Sequence, residues 1–341
     1  MQILSGLTLK EIEEITDKLH ASKFRARQIH NWIYLKSAAK IDEMTDLSVK
    51  FREELKKNAL VSNVKIKTKQ ESFDGTIKYL IEFPDGGCAE TVLMRFDNRA
   101  NLTACVSSQI GCAVNCSFCA TGRLGFVRNL TYKEIIEQVL TIQRDTGLKI
   151  TNVVFMGQGE PLLNLENVLK AMEIFNENFQ IGVRRLTVST SGIIPQINKL
   201  AELKMQSTLA VSLHAPNHEI RKTIMGIENQ YNMNDLKTAL KNYTAETGRR
   251  ITVEYLLIKD LNDTLDCAKQ LADYIHDIKC NVNLIPYNPV AGSLYQKSSN
   301  NSVMRFKSIL EQSGKKVTVR LERGADIDAA CGQLGGRNNT A

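Results

Sequence analysis

The stretch Gly111-Cys112-Ala113-Val114-Asn115-Cys116-Ser117-Phe118-Cys119-Ala120-Thr121-Gly122 places three cysteines in one short loop as Cys-x3-Cys-x2-Cys. It offers three thiolates, and no further cysteine follows before Cys267. Cysteine thiolates are the usual protein ligands of iron–sulfur clusters, and a ferredoxin-type site takes four of them. A 4Fe-4S cube held by three leaves one iron open to another ligand. A structural zinc site wants four ligands, commonly in paired Cys-x2-Cys form, and this uneven triplet does not supply them. Cys112, Cys116 and Cys119 are therefore the candidate metal ligands.

Outward from this loop the hydrophobic pattern decides the fold class. Leu102–Val106 reads as a strand leading into it. Downstream, strand patterns at Asn152–Met156, Arg185–Ser189, Thr208–Leu213, Ile251–Leu257, Val282–Ile285 and Val317–Arg320 alternate with helical stretches. Those stretches are Tyr132–Arg144, Leu165–Asn176, Ile193–Leu203, Asn234–Glu246, Leu265–Asp277 and Ser302–Gln312. Repeated strand–helix units predict an α/β fold with a parallel sheet. Six or so units fall short of the eight of a closed barrel and predict a partial, open (β/α)6 barrel. Upstream, residues 64–104 alternate with period two around the turns Asp74-Gly75 and Pro84-Asp85-Gly86-Gly87, predicting an antiparallel meander. Before that lies a helical unit, in which Thr8 and Glu11 stand at capping-box spacing ahead of Ile12, Ile15 and Leu19. The expected domains are 1–60 (helical), 61–101 (β extension), 102–334 (barrel) and 335–341 (disordered tail).

At 341 residues the chain can bury a large core. The start lacks a basic region followed by an apolar run, and no segment is apolar enough to span a bilayer. The expected location is the cytoplasm, where eight cysteines favour metal or catalytic roles over structural disulfides. A net charge of +7 permits an anionic partner such as RNA.

Other candidate residues sit at predicted strand ends, where barrel folds bind ligands. Gly157-Gln158-Gly159-Glu160-Pro161 follows one strand, with Glu160 able to take an ammonium group. Ser189, then Ser212-Leu213-His214, then Asn288 end three others and could meet the ribose or carboxylate of a nucleoside ligand. Cys105 precedes the cysteine loop. Cys331 lies near the carboxyl end before Gly335-Gly336, on a segment expected to be mobile.

Taken together, Cys105-Val-Ser-Ser-Gln-Ile-Gly-Cys112, the cysteine loop, Met156-Gly-Gln-Gly-Glu-Pro161, Ser212-Leu-His214 and Asp326-Ile-Asp-Ala-Ala-Cys-Gly-Gln-Leu334 resemble the RlmN/Cfr family of radical S-adenosylmethionine RNA methyltransferases. The match runs over nearly the whole chain. The resemblance implies a radical S-adenosylmethionine barrel with one 4Fe-4S cluster on Cys112, Cys116 and Cys119. S-adenosylmethionine would be held by Gly159, Glu160, Ser189, Ser212, Leu213, His214 and Asn288. Within the family, Pro161 after Glu160 and Ile110 resemble the adenine carbon-2 enzymes more than the carbon-8 enzymes. Gln158 stands where the family pattern has methionine, and Met225-Gly226-Ile227 replaces a proline-containing run.

Adenine carbon 2 is electron-poor and cannot attack a sulfonium methyl, so the cofactor must carry the hard step. The resemblance implies that one adenosylmethionine methylates Cys331 and that a second yields the radical that activates this methyl. Glu90 would then remove the carbon-2 proton. Cys105 would release the product by forming a transient disulfide with Cys331. The implied substrates are 23S ribosomal RNA at adenine-2503 and transfer RNA at adenine-37. A flavodoxin- or ferredoxin-like electron donor and a disulfide reductant are implied partners, and a monomer suffices. Lys23, Arg25 and Arg27 beside Trp32 and Tyr34, and Lys65, Lys67 and Lys69 on one predicted strand face, are candidate RNA contacts. Two other readings compete: methylation at carbon 8, and a non-catalytic iron–sulfur RNA-binding protein.

Overall fold

A computed structural model describes residues 1–96 and 99–335. Most of the expected tail, residues 336–341, lies outside the described residues. The backbone of the molecule is one ten-stranded sheet whose spatial order follows the chain. Its strands are β1 (Lys65–Glu71), β2 (Ile77–Glu82), β3 (Cys88–Phe96), β4 (Arg99–Cys105), β5 (Asn152–Phe155), β6 (Leu186–Thr190), β7 (Thr208–Ser212), β8 (Ile251–Leu257), β9 (Cys280–Pro286) and β10 (Val317–Val319). Strands β1 to β4 pair antiparallel. From β4 onward every pairing is parallel. The meander is therefore continuous with the barrel sheet, because β4 pairs with β3 on one side and β5 on the other.

A helix follows each of β4 to β9, at Tyr132–Thr146, Leu165–Glu177, Ile194–Glu202, Met233–Thr247, Leu265–Ile275 and Asn300–Gln312. This is the expected six-unit open barrel, with β1 and β10 as its unjoined edges. The helices start where the chain supplies caps. Thr131 and Glu134 form a reciprocal capping box on Tyr132–Thr146, and Gly147 closes that helix in the left-handed conformation. Its buried face carries Ile135, Ile136, Val139, Leu140 and Ile142.

The head folds as the pattern predicts. Thr8 and Glu11 cap a helix at Leu9–Lys18, and two more helices lie at Lys23–Tyr34 and Val49–Asn58. The head shares the barrel's core. Tyr34 packs edge-on against Phe179 at 5.1 Å, and its hydroxyl donates to the Leu7 carbonyl at 2.6 Å. Among the described residues no helix is long and apolar enough to cross a membrane.

Candidate active site

The parallel strands end at one mouth, and the cysteine loop closes over it. The Cys112 N–H donates to the Gly125 carbonyl, and the Ser117 N–H to the Ile224 carbonyl at 3.0 Å. The three thiols face a hollow of about 170 Å³ shared with Gly159, Glu160, Ser189, Ser191, Ser212 and His214. The mouth of the barrel thus assembles the metal and nucleoside candidates, except two. Leu213 is core: its N–H donates to Glu254 and its carbonyl accepts from Arg221. Strand alternation turns its side chain away while Ser212 and His214 face in. Asn288 instead borders a second cavity, where its side-chain amide donates to the Cys331 carbonyl at 3.1 Å.

Glu160 is held before any ligand arrives. Its carboxylate accepts from the Leu162 N–H at 3.0 Å, the Ser191 N–H at 2.6 Å and the Ser191 hydroxyl at 2.8 Å. Burial raises its pKa despite these donors, so an ammonium partner would suit it. Gly159 has φ +94°, and a Cβ there would stand 2.5 Å from the Gln109 Cβ. Only glycine brings the loop this close to Gln109, whose side-chain oxygen accepts from the Glu160 N–H at 2.9 Å.

His214 is neutral. Its Nδ1 accepts from the Leu256 N–H at 3.0 Å, which leaves the proton on Nε2. Burial, with the nearby Arg221 charge, lowers its pKa to about 3.

Several site residues carried no signal readable along the chain. Arg221 is fully buried and ion-pairs with Glu228. It also donates to the carbonyls of Ser191, Leu213 and Ser212, at 2.6, 3.2 and 3.4 Å, tying two strand ends together. Met225, from the run that departs from the family pattern, is buried and lines the hollow. The Glu254 Oε2 and Tyr287 hydroxyl also line it, buried and with no hydrogen-bond partner among the described residues. Buried polar atoms left open in this way mark where a polar ligand belongs.

The second cavity, of about 530 Å³, is lined by Cys105, Cys331, Arg320, Met156, Asn283 and the apolar face of Val92, Met94 and Phe96. Cys331, Arg320 and Met156 border both cavities, so the two join at these side chains. Burial and the neighbouring Cys331 push the Cys105 thiol up to about 12, opposed by Arg320. Both cysteines are free thiols. The Cys331 segment, expected to be mobile, is seated. The Ala120 N–H donates to the Gly332 carbonyl at 2.7 Å, and Leu334 packs on Val92 and Cys105.

Glu90 lies on β3 and is buried, two residues from Val92 and bordering neither cavity. Its carboxylate pairs with Lys78 at 3.4 Å. Gln158 joins Glu90 to the Gly157–Pro161 loop, its side-chain oxygen accepting from the Glu90 N–H at 3.2 Å.

The candidate RNA contacts divide. Arg27 is exposed and Lys23 mostly so, whereas Tyr34 is buried and cannot stack on a base. Trp32 donates to Asp46 at 2.6 Å and carries Lys36 3.7 Å above its ring. Lys65, Lys67 and Lys69 do lie on the exposed edge strand β1, but a bulge between Ile66 and Thr68 breaks the alternation. Lys65 pairs opposite Glu82 and Lys69 opposite Tyr79, which puts these two on opposite faces.

The donor set fits an iron–sulfur cluster with a nucleoside ligand. Three thiols without a fourth protein ligand among the described residues suit a cube with one open corner better than a closed four-ligand zinc site. Burial raises the pKa of Cys116 well above the ordinary thiol value, and Cys119 and Cys112 raise it further. Such a thiol group becomes thiolate only against a positive centre.

Comparison with known proteins agrees. Residues 106–275 match the Radical SAM superfamily, and residues 3–61 match the ribosomal RNA large subunit methyltransferase N-terminal domain. The chain is 46% identical over 334 residues to a probable dual-specificity RNA methyltransferase RlmN of Alkaliphilus oremlandii (strain OhILAs), covering 97% of this chain and 96% of that protein. It is 44% identical to the protein of the same description from Clostridium novyi (strain NT), covering 98% of each. A crystal structure of a radical SAM methyltransferase from Sphaerobacter thermophilus superposes with a TM-score of 0.93 at 41% identity, covering 99% of this chain and 100% of that one. By these matches over nearly its whole length, this chain belongs to the RlmN family of radical S-adenosylmethionine RNA methyltransferases, enzymes of a 4Fe-4S cluster and S-adenosylmethionine.

Proposed function

We propose that this enzyme methylates carbon 2 of adenine, at adenine-2503 of 23S ribosomal RNA and adenine-37 of transfer RNA. The observation that carries the reading is that Cys105 and Cys331 line one cavity that opens into the cluster hollow. Cys112, Cys116 and Cys119 hold the cluster, and Glu160 with Ser189, Ser212 and His214 holds the cofactor. When bound, the pair supplies one-electron chemistry able to take hydrogen from an unactivated methyl group.

The chain's own residues do the rest. Cys331 accepts a methyl on its sulfur and presents it at the junction of the cavities. Val92, Met94 and Phe96 give the target base an apolar wall, so the base must leave its stack to enter. Once the carbon unit joins carbon 2, the adduct gives up one electron, which the bound cluster would accept, and Glu90 takes the proton from that carbon. The Cys105 thiol then gives up its proton, the one the carbon unit gains, as its sulfur attacks the Cys331 sulfur. The carbon–sulfur bond breaks with its electron pair going to the carbon unit, which takes up one proton to become the product methyl, and a Cys105–Cys331 disulfide forms. An external dithiol reduces it, and a flavodoxin- or ferredoxin-like carrier supplies the electron. Residues 1–60 form the RNA-binding head, 61–101 the β extension and 102–334 the catalytic barrel. The enzyme works as a monomer in the cytoplasm.

Digestion of treated RNA and mass spectrometry of the nucleosides tests this. 2-Methyladenosine is expected; 8-methyladenosine alone would reassign the chain to carbon-8 chemistry. Full cluster content with no methylation of either RNA would favour a binding protein.

A further inference from the structure

The segment that carries Cys331 is gripped from two sides. Downstream, the Ala120 N–H, the Thr121 hydroxyl and the Asn288 amide hold residues 331–334, and these belong to the cluster loop and the barrel mouth. Upstream, residues 323–328 are held by a different element, the β1–β2 hairpin. The Ser72 hydroxyl donates to Asp326 at 2.6 Å, and the Phe73 N–H to its other carboxylate oxygen at 3.3 Å. The Gly324 N–H donates to Asp74 at 3.0 Å, and Arg323 lies 3.9 Å from the same carboxylate. The Lys78 ammonium donates to the Asp328 carbonyl at 3.2 Å while standing 3.4 Å from Glu90. These contacts join residues about 250 positions apart in the chain.

The upstream arm is also shaped for this seat. Gly324 has φ +63°, and a Cβ there would come 2.8 Å from Ala329 and 2.9 Å from Thr76. Asp328 adopts φ +52°, a left-handed conformation that aspartate tolerates better than most residues. None of Ser72, Asp74 or Asp326 borders either cavity. Their side chains instead join the hairpin to the Cys331 segment.

We propose that the hairpin turn Ser72–Thr76, with Lys78, is a clasp that sets the position of Cys331, which makes Ser72, Asp74, Lys78 and Asp326 positioning residues for methyl transfer. This rests on the reading of Cys331 as methyl carrier. Lys78 links the two halves of that reading, because one ammonium touches both the proton acceptor and the backbone of the carrier's segment.

The test uses the cluster-loaded enzyme. Alkylation of Cys331 by iodoacetamide is followed by peptide mass spectrometry, beside RNA methylation kinetics, for Ser72→Ala, Ser72→Thr, Asp326→Ala and Lys78→Met. Releasing the clasp should raise the Cys331 alkylation rate about tenfold in Asp326→Ala and lower kcat by about as much, with KM for RNA unchanged. Ser72→Thr, which keeps the hydroxyl, should restore both to within about twofold of wild type. Equal alkylation in wild type and Asp326→Ala overturns the clasp. Should Asp326→Ala fail to fold, Ser72→Ala, which does not touch Glu90, decides by the same two rates. Faster alkylation with undiminished kcat leaves the grip real but overturns its role in methyl transfer. Alkylation needs no turnover, so it stays readable even if Cys331 proves not to be the carrier.

Discussion

Gln158 and Glu90 are joined by two hydrogen bonds. The Glu90 N–H donates to the Gln158 side-chain oxygen at 3.2 Å, and the Gln158 amide donates to the Glu90 carboxylate at 3.5 Å. The Gln158 N–H in turn donates to the Ser107 hydroxyl, which donates to the Glu90 carbonyl. The glutamine that departs from the family pattern thus fastens the cofactor loop to the proposed proton acceptor.

Replacing Gln158 with alanine leaves the buried Glu90 N–H without this partner. The expected cost is about 1–3 kcal/mol of stability. A fall in kcat of about tenfold should accompany it, equivalent to about 1.4 kcal/mol of barrier. Cofactor affinity, read by equilibrium dialysis, should change little. Wild-type turnover in Gln158→Ala would show that the bridge does not serve the chemistry.

Cys331→Ala should abolish RNA methylation while the iron and sulfide content and the cluster's absorbance stay intact, because the proposed cluster ligands are Cys112, Cys116 and Cys119. Cys105→Ala should trap a covalent protein–RNA adduct, seen as a shifted band on a denaturing gel, because no thiol remains to displace the product. An unshifted band with normal methylation would remove Cys105 from the pathway.

Stability should fall in mild acid through His214. Its pKa drops from 6.5 in the unfolded chain to about 3 in the fold, so between those values the unfolded state binds the extra proton. The contribution is complete above pH 6.5 and declines as pH falls toward 3, with about 2 kcal/mol lost by pH 5. Urea unfolding of His214→Asn at pH 7 and pH 5 checks this. The variant should lose less between the two pH values than wild type does; equal losses would exclude His214 as the source.

Arg221→Met should destabilise the fold by about 3–5 kcal/mol, because Glu228 would stay buried without its cation. A double variant, Arg221→Met with Glu228→Leu, should recover much of that loss in calorimetry. It should not recover cofactor binding, because the Ser191 and Ser212 carbonyls still lack their shared donor. A double variant no more stable than the single would show that the unpaired charge is not the cost.

What could be read from the chain alone was local in origin. Thr8 with Glu11 announces a helix start, period-two runs announce strands, and Cys112, Cys116 and Cys119 share one loop; each signal spans a few residues whose geometry neighbouring backbone enforces. The six-unit barrel follows from repetition of such signals. What the chain did not show was which face a side chain takes. Tyr34 packs inward on Phe179, Leu213 turns into the core, and one bulge separates Lys65 from Lys69, since a single residue of register reverses every side chain beyond it.

Only the tertiary structure decided which distant groups meet. Gln158 reaches Glu90 across 68 positions, Arg221 gathers carbonyls from two strand ends, and Asp326 meets Ser72 across 254. Such pairs leave no periodic trace in sequence, because the sheet brings strands together by their order in space, and a buried polar atom accepts any correctly placed donor wherever it lies in the chain.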